Sequence, residues 1–141
     1  MNDNKEHLDY YVGQTAEFSK TVTESDVYLF AGVCGDFNPV HINVIEAEKS
    51  VFGGRIVHGA LITSFISTVL GMYLPGPGTI YKKQESNFVR PVYIGDTITA
   101  RVRIIDIDNK KNAVLETIVI NQNNLIVVEG TAVVKLPRKI S

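Results

Sequence analysis

The segment GALITSFISTVLGMYLPGPG, residues 59–78, decides the fold of this 141-residue chain. Apolar residues occupy nearly every helical face of residues 59–74, which is typical of a helix enclosed by other structure. The segment is interrupted by serines and threonines and is too short to span a bilayer. The PGPG sequence then ends the helix, because proline lacks the backbone N–H that a helix requires. These features predict one long buried helix.

The sequence after this helix predicts an antiparallel meander. β-branched residues dominate most of it, and the predicted strands cover residues 79–89, 96–106, 113–121 and 125–136. The short polar segments DNKKN (108–112) and NQNN (121–124) contain residues that tolerate left-handed backbone, so both should close hairpins. A further strand is predicted upstream, at residues 14–22.

Between the first strand and the long helix, the pattern predicts shorter helices around a shaped loop. Thr23 is a good N-cap, and acidic residues follow it in the first turn. An apolar helical face then comprises Val27, Phe30, Ala31 and Cys34. Gly35 and Pro39 should interrupt this helix, which makes GDFNPVH (35–41) a loop. A short helix is expected at residues 44–50, and GGRIVHG (53–59) should form turns.

A long helix that an antiparallel sheet can wrap predicts an α+β fold. The length suits a single domain covering residues 1–141, with residues 1–10 as a polar tail. Hydrophobic residues make up 45% of the chain and charged residues 21%, as in ordinary globular proteins.

Charge and cysteine content exclude several classes of function. The net charge is -1 and the basic residues are not clustered, so neither nucleic acid nor a membrane is an expected partner. The polar N-terminus lacks the features of a secretory signal, and one cysteine cannot form an internal disulfide. We therefore expect a cytoplasmic protein.

The segment GDFNPVH carries the strongest chemical signal. It places Asp36 and His41 five positions apart across a loop stiffened by proline, so both side chains can converge on one water molecule. Both residue types serve in proton transfer. The alternative is structural, with Asp36 capping a turn and His41 satisfied at the surface or in the core. A metal site lacks further ligands at plausible spacing.

Gly59 adds a second element to this candidate site. It lies at the predicted start of the long helix, where unpaired amides and the helix dipole favour negative charge. A thioester carbonyl held there would be polarised as charge develops on its oxygen. The alternative is that Gly59 only permits tight packing.

At these residues the chain resembles the MaoC-like hydratases. The similarity begins with YLFA (28–31), CGDFNPVH (34–41) and Ala47, and continues in GGRIVHGALITS (53–64), SNFVRPVYIGD (86–96) and GTAVVKLP (130–137). It implies a hot-dog fold, in which a curved antiparallel sheet wraps a central helix, and a homodimer or dimer-based oligomer. The implied activity is reversible syn hydration of trans-2-enoyl-CoA to (R)-3-hydroxyacyl-CoA, without metal or organic cofactor.

The resemblance also implies roles for individual residues. Asp36 and His41 would activate water and deliver a proton to the α-carbon, while the Gly59 amide binds the thioester oxygen. Which of the acid/base pair is the formal base stays open. Asn38 would shape the site and Ser64 would border the substrate, although a packing role for Ser64 is an equal alternative.

One departure from the family pattern occurs at Asn43, where many relatives carry an acidic residue; the resemblance therefore implies no supporting contact from this position. Cys34 is expected to be a small buried hydrophobe and not a nucleophile. His58 is expected to be structural.

The sequence offers candidates, but no motif, for the residues that select the acyl group and bind coenzyme A. Candidates for an acyl pocket are Ile62, Phe65, Ile66 and Phe88, although a core role is the default for such residues. Candidates for coenzyme A phosphate contacts, each otherwise a solvated charge, are Arg55, Lys82, Lys83 and Arg90. Two other functions stay open: a hot-dog acyl-CoA thioesterase and a non-catalytic acyl-CoA-binding module. The pathway, whether β-oxidation, polyhydroxyalkanoate supply or fermentation, is also open.

Overall fold

The computed structural model describes residues 10–138, so most of the predicted polar tail, including His7, lies outside the described residues. The elements in chain order are β1 (Thr15–Thr21), α1 (Glu24–Cys34), α2 (Pro39–Ile42), α3 (Val44–Lys49), α4 (Gly59–Met72), β2 (Ile80–Phe88), β3 (Thr97–Ile107), β4 (Asn112–Ile120) and β5 (Ile126–Lys135). The predicted strands are all confirmed, with ends that differ by one residue. In residues 10–138 no helix is long and apolar enough to cross a membrane.

The sheet is antiparallel with the strand order β1-β3-β4-β5-β2. Strands β3, β4 and β5 form the predicted meander, and the two hairpin turns contain Lys111 and Asn124 with φ values of 65° and 59°. The prediction was wrong for β2, which pairs with β5 at the far edge and not with β3. The cause is the connection after β2, which does not turn back but crosses to residues 53–57, where the Val57 amide donates to the Val92 carbonyl at 2.7 Å.

Helix α4 packs against the sheet and supplies much of the core. Its buried residues are Leu61, Ile62, Phe65, Ile66, Val69 and Leu70. They belong to one core with the buried residues of β3, β4 and β5, and the helix contacts β1, β2, β3 and β4. The α+β, hot-dog architecture is thus confirmed. The expectation that α4 is enclosed on every face was wrong, since Ala60, Ser67 and Gly71 are exposed. The sheet covers only one side of the helix, and the small residues lie on the other.

Helix α1 begins as predicted. The Thr23 hydroxyl accepts a hydrogen bond from the Asp26 amide, and the Asp26 carboxylate accepts one from the Thr23 amide, which completes a capping box. Val27 and Ala31 are fully buried. Cys34 is exposed, so its prediction as a buried hydrophobe was wrong; it is the last residue of the helix, and the chain turns away from the core at Gly35, whose φ is 84°.

The loop predicted for residues 35–41 is shorter in the structure. Pro39–Ile42 form the single-turn helix α2, in which proline takes the first position, where its missing N–H has no consequence. The Asn38 side chain caps this turn by accepting a hydrogen bond from the Val40 amide at 3.2 Å. His41 therefore projects from a helical turn and not from an irregular loop.

Candidate active site

His41 is held by the backbone of the segment that precedes α4. Its ring is buried, and Nδ1 lies 2.7 Å from the Ile56 carbonyl oxygen. A carbonyl oxygen only accepts, so Nδ1 carries the proton and Nε2 keeps a free lone pair. The Ile56 amide also donates to the Val40 carbonyl at 3.1 Å, so one residue fixes both the ring and the helical turn that carries it.

Asp36 faces this free nitrogen. Its Oδ2 lies 3.8 Å from His41 Nε2, and half of its side chain is exposed to solvent. Its Oδ1 accepts a hydrogen bond from the Asn38 amide at 3.1 Å, which fixes the orientation of the carboxylate. The separation of 3.8 Å is too long for a direct hydrogen bond. One water oxygen at about 2.8 Å from each acceptor fits between them and can donate a proton to both.

His58 belongs to the same cluster, although its spacing from His41 did not mark it as a site residue. It is 2% exposed, and its ring stacks on that of His41 with centroids 3.9 Å apart and an angle of 28° between the planes. Its Nε2 lies 2.9 Å from the Asp36 carbonyl oxygen. The one available sequence signal was its position directly before Gly59.

Gly59 is the first residue of α4, next to His58. The first hydrogen bond of the helix is donated by the Ile62 amide to the His58 carbonyl, and no side chain within residues 10–138 caps the amides before it. Phe88 packs over this end of the helix so closely that a Cβ on Gly59 would lie 2.8 Å from its ring. The absence of a side chain at Gly59 leaves room for the Phe88 ring, and the Gly59 amide lies at the uncapped start of α4, directly after His58.

The predicted acyl-pocket residues are in different places. Ile62, Phe65 and Ile66 are buried in the core, whereas Phe88 is 58% exposed beside Gly59. The Ser64 hydroxyl is used within the helix, where it donates to the Leu61 carbonyl at 2.5 Å. Ser64 also lines an open groove of about 410 Å³ between α4 and β2, together with Ala60, Thr63, Ser67, Tyr81, Lys82, Lys83 and Gln84.

Arg55 braces the segment that carries Ile56. Its guanidinium donates to the Glu24 carboxylate at 2.8 Å and to the Tyr28 hydroxyl at 2.7 Å. The hydrogen bond from Arg55 lowers the pKa of the Glu24 carboxyl, and the hydrogen bond to Glu24 raises the pKa of the Tyr28 hydroxyl. This network ties α1 to the segment before α4.

The other three candidates for phosphate contacts also have protein partners. Lys82 donates to the Asn112 side chain, Lys83 pairs with Glu85, and Arg90 donates to the Ile126 carbonyl.

Asp36, His41 and His58 bring three potential metal-ligand atoms within 4.8 Å of one another. The two imidazoles stack, however, and the lone pairs of stacked rings lie side by side in their planes and do not converge on one point. Zinc sites require ligands that point at the ion from the corners of a tetrahedron. The cluster therefore suits proton transfer better than metal binding.

Comparison with known proteins agrees with this geometry. Residues 9–124 match the family described as the MaoC like domain. The chain belongs to the MaoC-like family. An (R)-specific enoyl-CoA hydratase of Rhodospirillum rubrum is 46% identical over 127 residues, covering 90% of this chain and 88% of the relative. One from Aeromonas caviae is 42% identical, covering 89% and 95%.

Two solved structures of R-hydratases have the same fold as this chain. The (R)-hydratase from A. caviae involved in PHA biosynthesis superposes with a TM-score of 0.89 at 41% identity, covering 91% of this chain and 98% of that one. An unliganded R-hydratase from Pseudomonas aeruginosa gives a TM-score of 0.89 at 39% identity, covering 92% and 84%.

The departure at Asn43 has a local explanation. Its side chain caps α3 by accepting a hydrogen bond from the Glu46 amide at 3.1 Å. Aspartate and asparagine cap helices about equally well. Asn43 therefore keeps a capping role that an acidic residue at this position of a MaoC-like chain would also fill.

Proposed function

We propose that this chain is an enzyme that catalyses the reversible syn hydration of trans-2-enoyl-CoA to (R)-3-hydroxyacyl-CoA. The observation that carries the proposal is the pair of acceptors, Asp36 Oδ2 and His41 Nε2, which are 3.8 Å apart beside the uncapped start of α4. The similarity to (R)-specific enoyl-CoA hydratases over about nine tenths of the chain supports the same substrate class.

In this reaction a water held between Asp36 and His41 adds through its oxygen to the β-carbon of the enoyl group. One water proton passes to the acid/base pair, and the α-carbon receives a proton from that pair on the same face. The electron pair displaced from the double bond is carried briefly by the thioester oxygen, which the Gly59 amide stabilises. Dehydration is the reverse of these steps.

The reaction requires no metal or organic cofactor in this proposal. The Asp36 and His41 side chains supply the proton transfers, and the helix terminus supplies the stabilisation of negative charge. Coenzyme A enters only as part of the substrate.

The test is the hydration of crotonyl-CoA by the wild type and two substituted enzymes. Asp36→Asn keeps an oxygen for the Asn38 amide, and His41→Asn places an amide donor where Nδ1 meets the Ile56 carbonyl, so neither should disturb the fold. Each substitution removes a proton-transfer group, and we expect kcat to fall by about 10²- to 10⁴-fold. Loss of the enoyl thioester absorbance measures the rate.

Asn43→Asp is the matched control, because it keeps the cap of α3 and lies outside the cluster; its kcat should equal that of the wild type. Near-wild-type rates in both Asp36→Asn and His41→Asn would contradict the assignment. Release of free coenzyme A thiol from the substrate would indicate the thioesterase instead. Chiral analysis of the product across acyl lengths tests the stereochemistry, and an S product would overturn the (R) assignment.

We further propose that the partner of this chain is a second copy of itself. Strand β2 lies at the edge of the sheet, and it exposes large apolar side chains at Ile80 and Tyr81. Exposed apolar edge strands are sites of pairing between chains. Sedimentation should give a species of twice 15.6 kDa, whereas a monomer at micromolar concentration would contradict the proposal. A cytoplasmic location stays a prediction.

A further inference from the structure

We propose that His58 is a positioning residue that holds Asp36 and His41 at the separation that proton transfer requires. The inference rests on the proposed hydration and goes beyond it, because His58 itself touches neither the water nor the thioester in that mechanism. Its contacts reach the loop that carries Asp36, the ring of His41 and the first turn of α4.

The tautomer of His58 follows from its hydrogen bond. Nε2 lies 2.9 Å from the Asp36 carbonyl oxygen, which can only accept, so the proton is on Nε2. Nδ1 is buried and has no hydrogen-bond partner in the described structure. An unpaired buried polar atom is costly, and such atoms are found where another requirement outweighs the cost. Here that requirement is the hydrogen bond to the backbone of Asp36.

Packing fixes the plane of the His58 ring on two sides. His41 stacks against it with centroids 3.9 Å apart, and Phe30 meets it edge-on at 5.0 Å. The ring cannot rotate away from the Asp36 carbonyl without breaking both contacts. His58 also precedes Gly59 directly, so the same residue sets the direction in which α4 begins.

His58 therefore supports three parts of the site that lie on separate elements: the loop that carries Asp36, the ring of His41 and the start of α4. Residues 35–38 are a loop, and the half-exposed Asp36 carboxylate receives one hydrogen bond, from the Asn38 amide two residues away within that loop. The hydrogen bond from His58 ties this loop to the core and thereby sets the separation between Asp36 and His41. Its loss should reduce kcat and leave KM nearly unchanged, because His58 sets the separation of the proton-transfer groups and contacts no part of the substrate in the proposed mechanism.

Two substitutions separate this role from simple packing. In His58→Gln the side-chain Nε2 is as many bonds from Cα as the histidine Nε2, so the donor to the Asp36 carbonyl is kept and the ring is lost. In His58→Phe the ring and its stacking are kept and the donor is lost. We expect His58→Phe to lose about 10²-fold in kcat, as for a misplacement of about 1 Å, with KM within threefold of wild type. His58→Gln should stay within about 10-fold of the wild-type kcat.

The opposite order, with His58→Phe as active as or more active than His58→Gln, would show that His58 only packs and would overturn the inference. Melting temperatures of both variants establish that the folded enzyme is compared. An inactive wild type would instead overturn the proposed hydration, so the two failures are distinguishable.

A measurement on the intact enzyme does not depend on how the variants fold. Nitrogen-15 NMR of labelled histidines distinguishes the two tautomers of each ring. In the neutral form of each ring, we expect the proton on Nε2 of His58 and on Nδ1 of His41. A proton on Nδ1 of His58 would rule out its hydrogen bond to Asp36 and overturn the inference whatever the kinetics.

Discussion

Replacing Gly59 by alanine tests the position of the thioester at the start of α4. The added Cβ would lie 2.8 Å from Cε1 and 3.1 Å from Cζ of Phe88. Carbon atoms in contact are normally about 3.5–4.0 Å apart, so the ring must withdraw by about 1 Å. Phe88 is 58% exposed and can rotate toward solvent. Alanine is also favoured over glycine in a helix by about 0.5–1 kcal/mol, so the free energy of unfolding should change little.

Activity should respond far more than stability. The methyl group and the displaced ring both occupy space through which a thioester oxygen would approach the Gly59 amide. A misplacement of about 1 Å at a reacting group costs about 10²-fold in rate, and we expect a loss of this size in kcat/KM with crotonyl-CoA. Initial rates come from the disappearance of the enoyl thioester absorbance, and thermal melts confirm the fold.

The double variant Gly59→Ala/Phe88→Ala separates the two causes. Removing the ring relieves the contact, so recovery of activity assigns the loss to the displaced Phe88, and no recovery assigns it to the methyl group beside the amide. A Gly59→Ala enzyme within threefold of wild type would refute the reasoning, because the thioester would then lie elsewhere.

Three further predictions concern stability and cofactors. Gly130→Ala should lower the free energy of unfolding, measured by chemical denaturation, by about 3 kcal/mol or more, since its Cβ would lie 1.8 Å from the backbone oxygen of Glu85. Gly32→Ala, with open space around it, should instead stabilise helix α1 by about 0.5–1 kcal/mol. Equal effects of the two substitutions would contradict the structure. The hydrogen bond from Lys20 lowers the pKa of the Asp26 carboxyl in the folded state. Its charge therefore stabilises the fold at pH values above the ordinary pKa of 3.8, and this effect is lost as the pH falls through the lower pKa of the folded state. Asp26→Asn should be less stable than wild type at pH 7, and the difference in melting temperature should shrink in acid. Dialysis against a chelator should leave kcat unchanged, and a loss restored by one added metal would show that the hydration needs an ion.

Local sequence signals predicted most of the secondary structure. The ends of β3, β4 and β5 lie within one residue of the predicted bounds, because β-branched strands alternate with polar turns that accept positive φ at Lys111 and Asn124. The N-cap at Thr23 is equally local, since its hydroxyl and the Asp26 carboxylate lie within one turn. Such features depend on neighbours in sequence and leave a direct trace there.

Features that depend on tertiary contacts were harder to predict from the sequence. Strand β2 has the composition of a meander strand, but its partner depends on where the chain runs after Phe88. Helix α4 was predicted to be enclosed on every face, whereas the sheet of residues 10–138 leaves the side with Ala60, Ser67 and Gly71 exposed. Cys34 fits an apolar helical face by spacing, and only the turn at Gly35 places it in solvent.

The candidate site was predicted as three separate residues, and the fold brings them together. Asp36 and His41 were paired by their spacing, and Gly59 by its place at a helix start. His58 was interpreted as structural because a single histidine carries no spacing signal. Its contact with His41 depends on how α2 and the start of α4 pack, which no local pattern encodes.

The backbone hydrogen bonds of the site explain why the positions of His41 and His58 could not be predicted from sequence patterns. His41 and His58 are oriented by the carbonyl oxygens of Ile56 and Asp36, and any residue supplies a carbonyl. The orientation of the two rings therefore depends on the path of the backbone and not on the identity of these two residues. The crossing segment after β2 pairs with residues 53–57 through Val57 and Val92, and this pairing holds the Ile56 carbonyl where Nδ1 of His41 needs it. The connection that separates β2 from β3 in the sheet is therefore also the one that fixes the tautomer of His41.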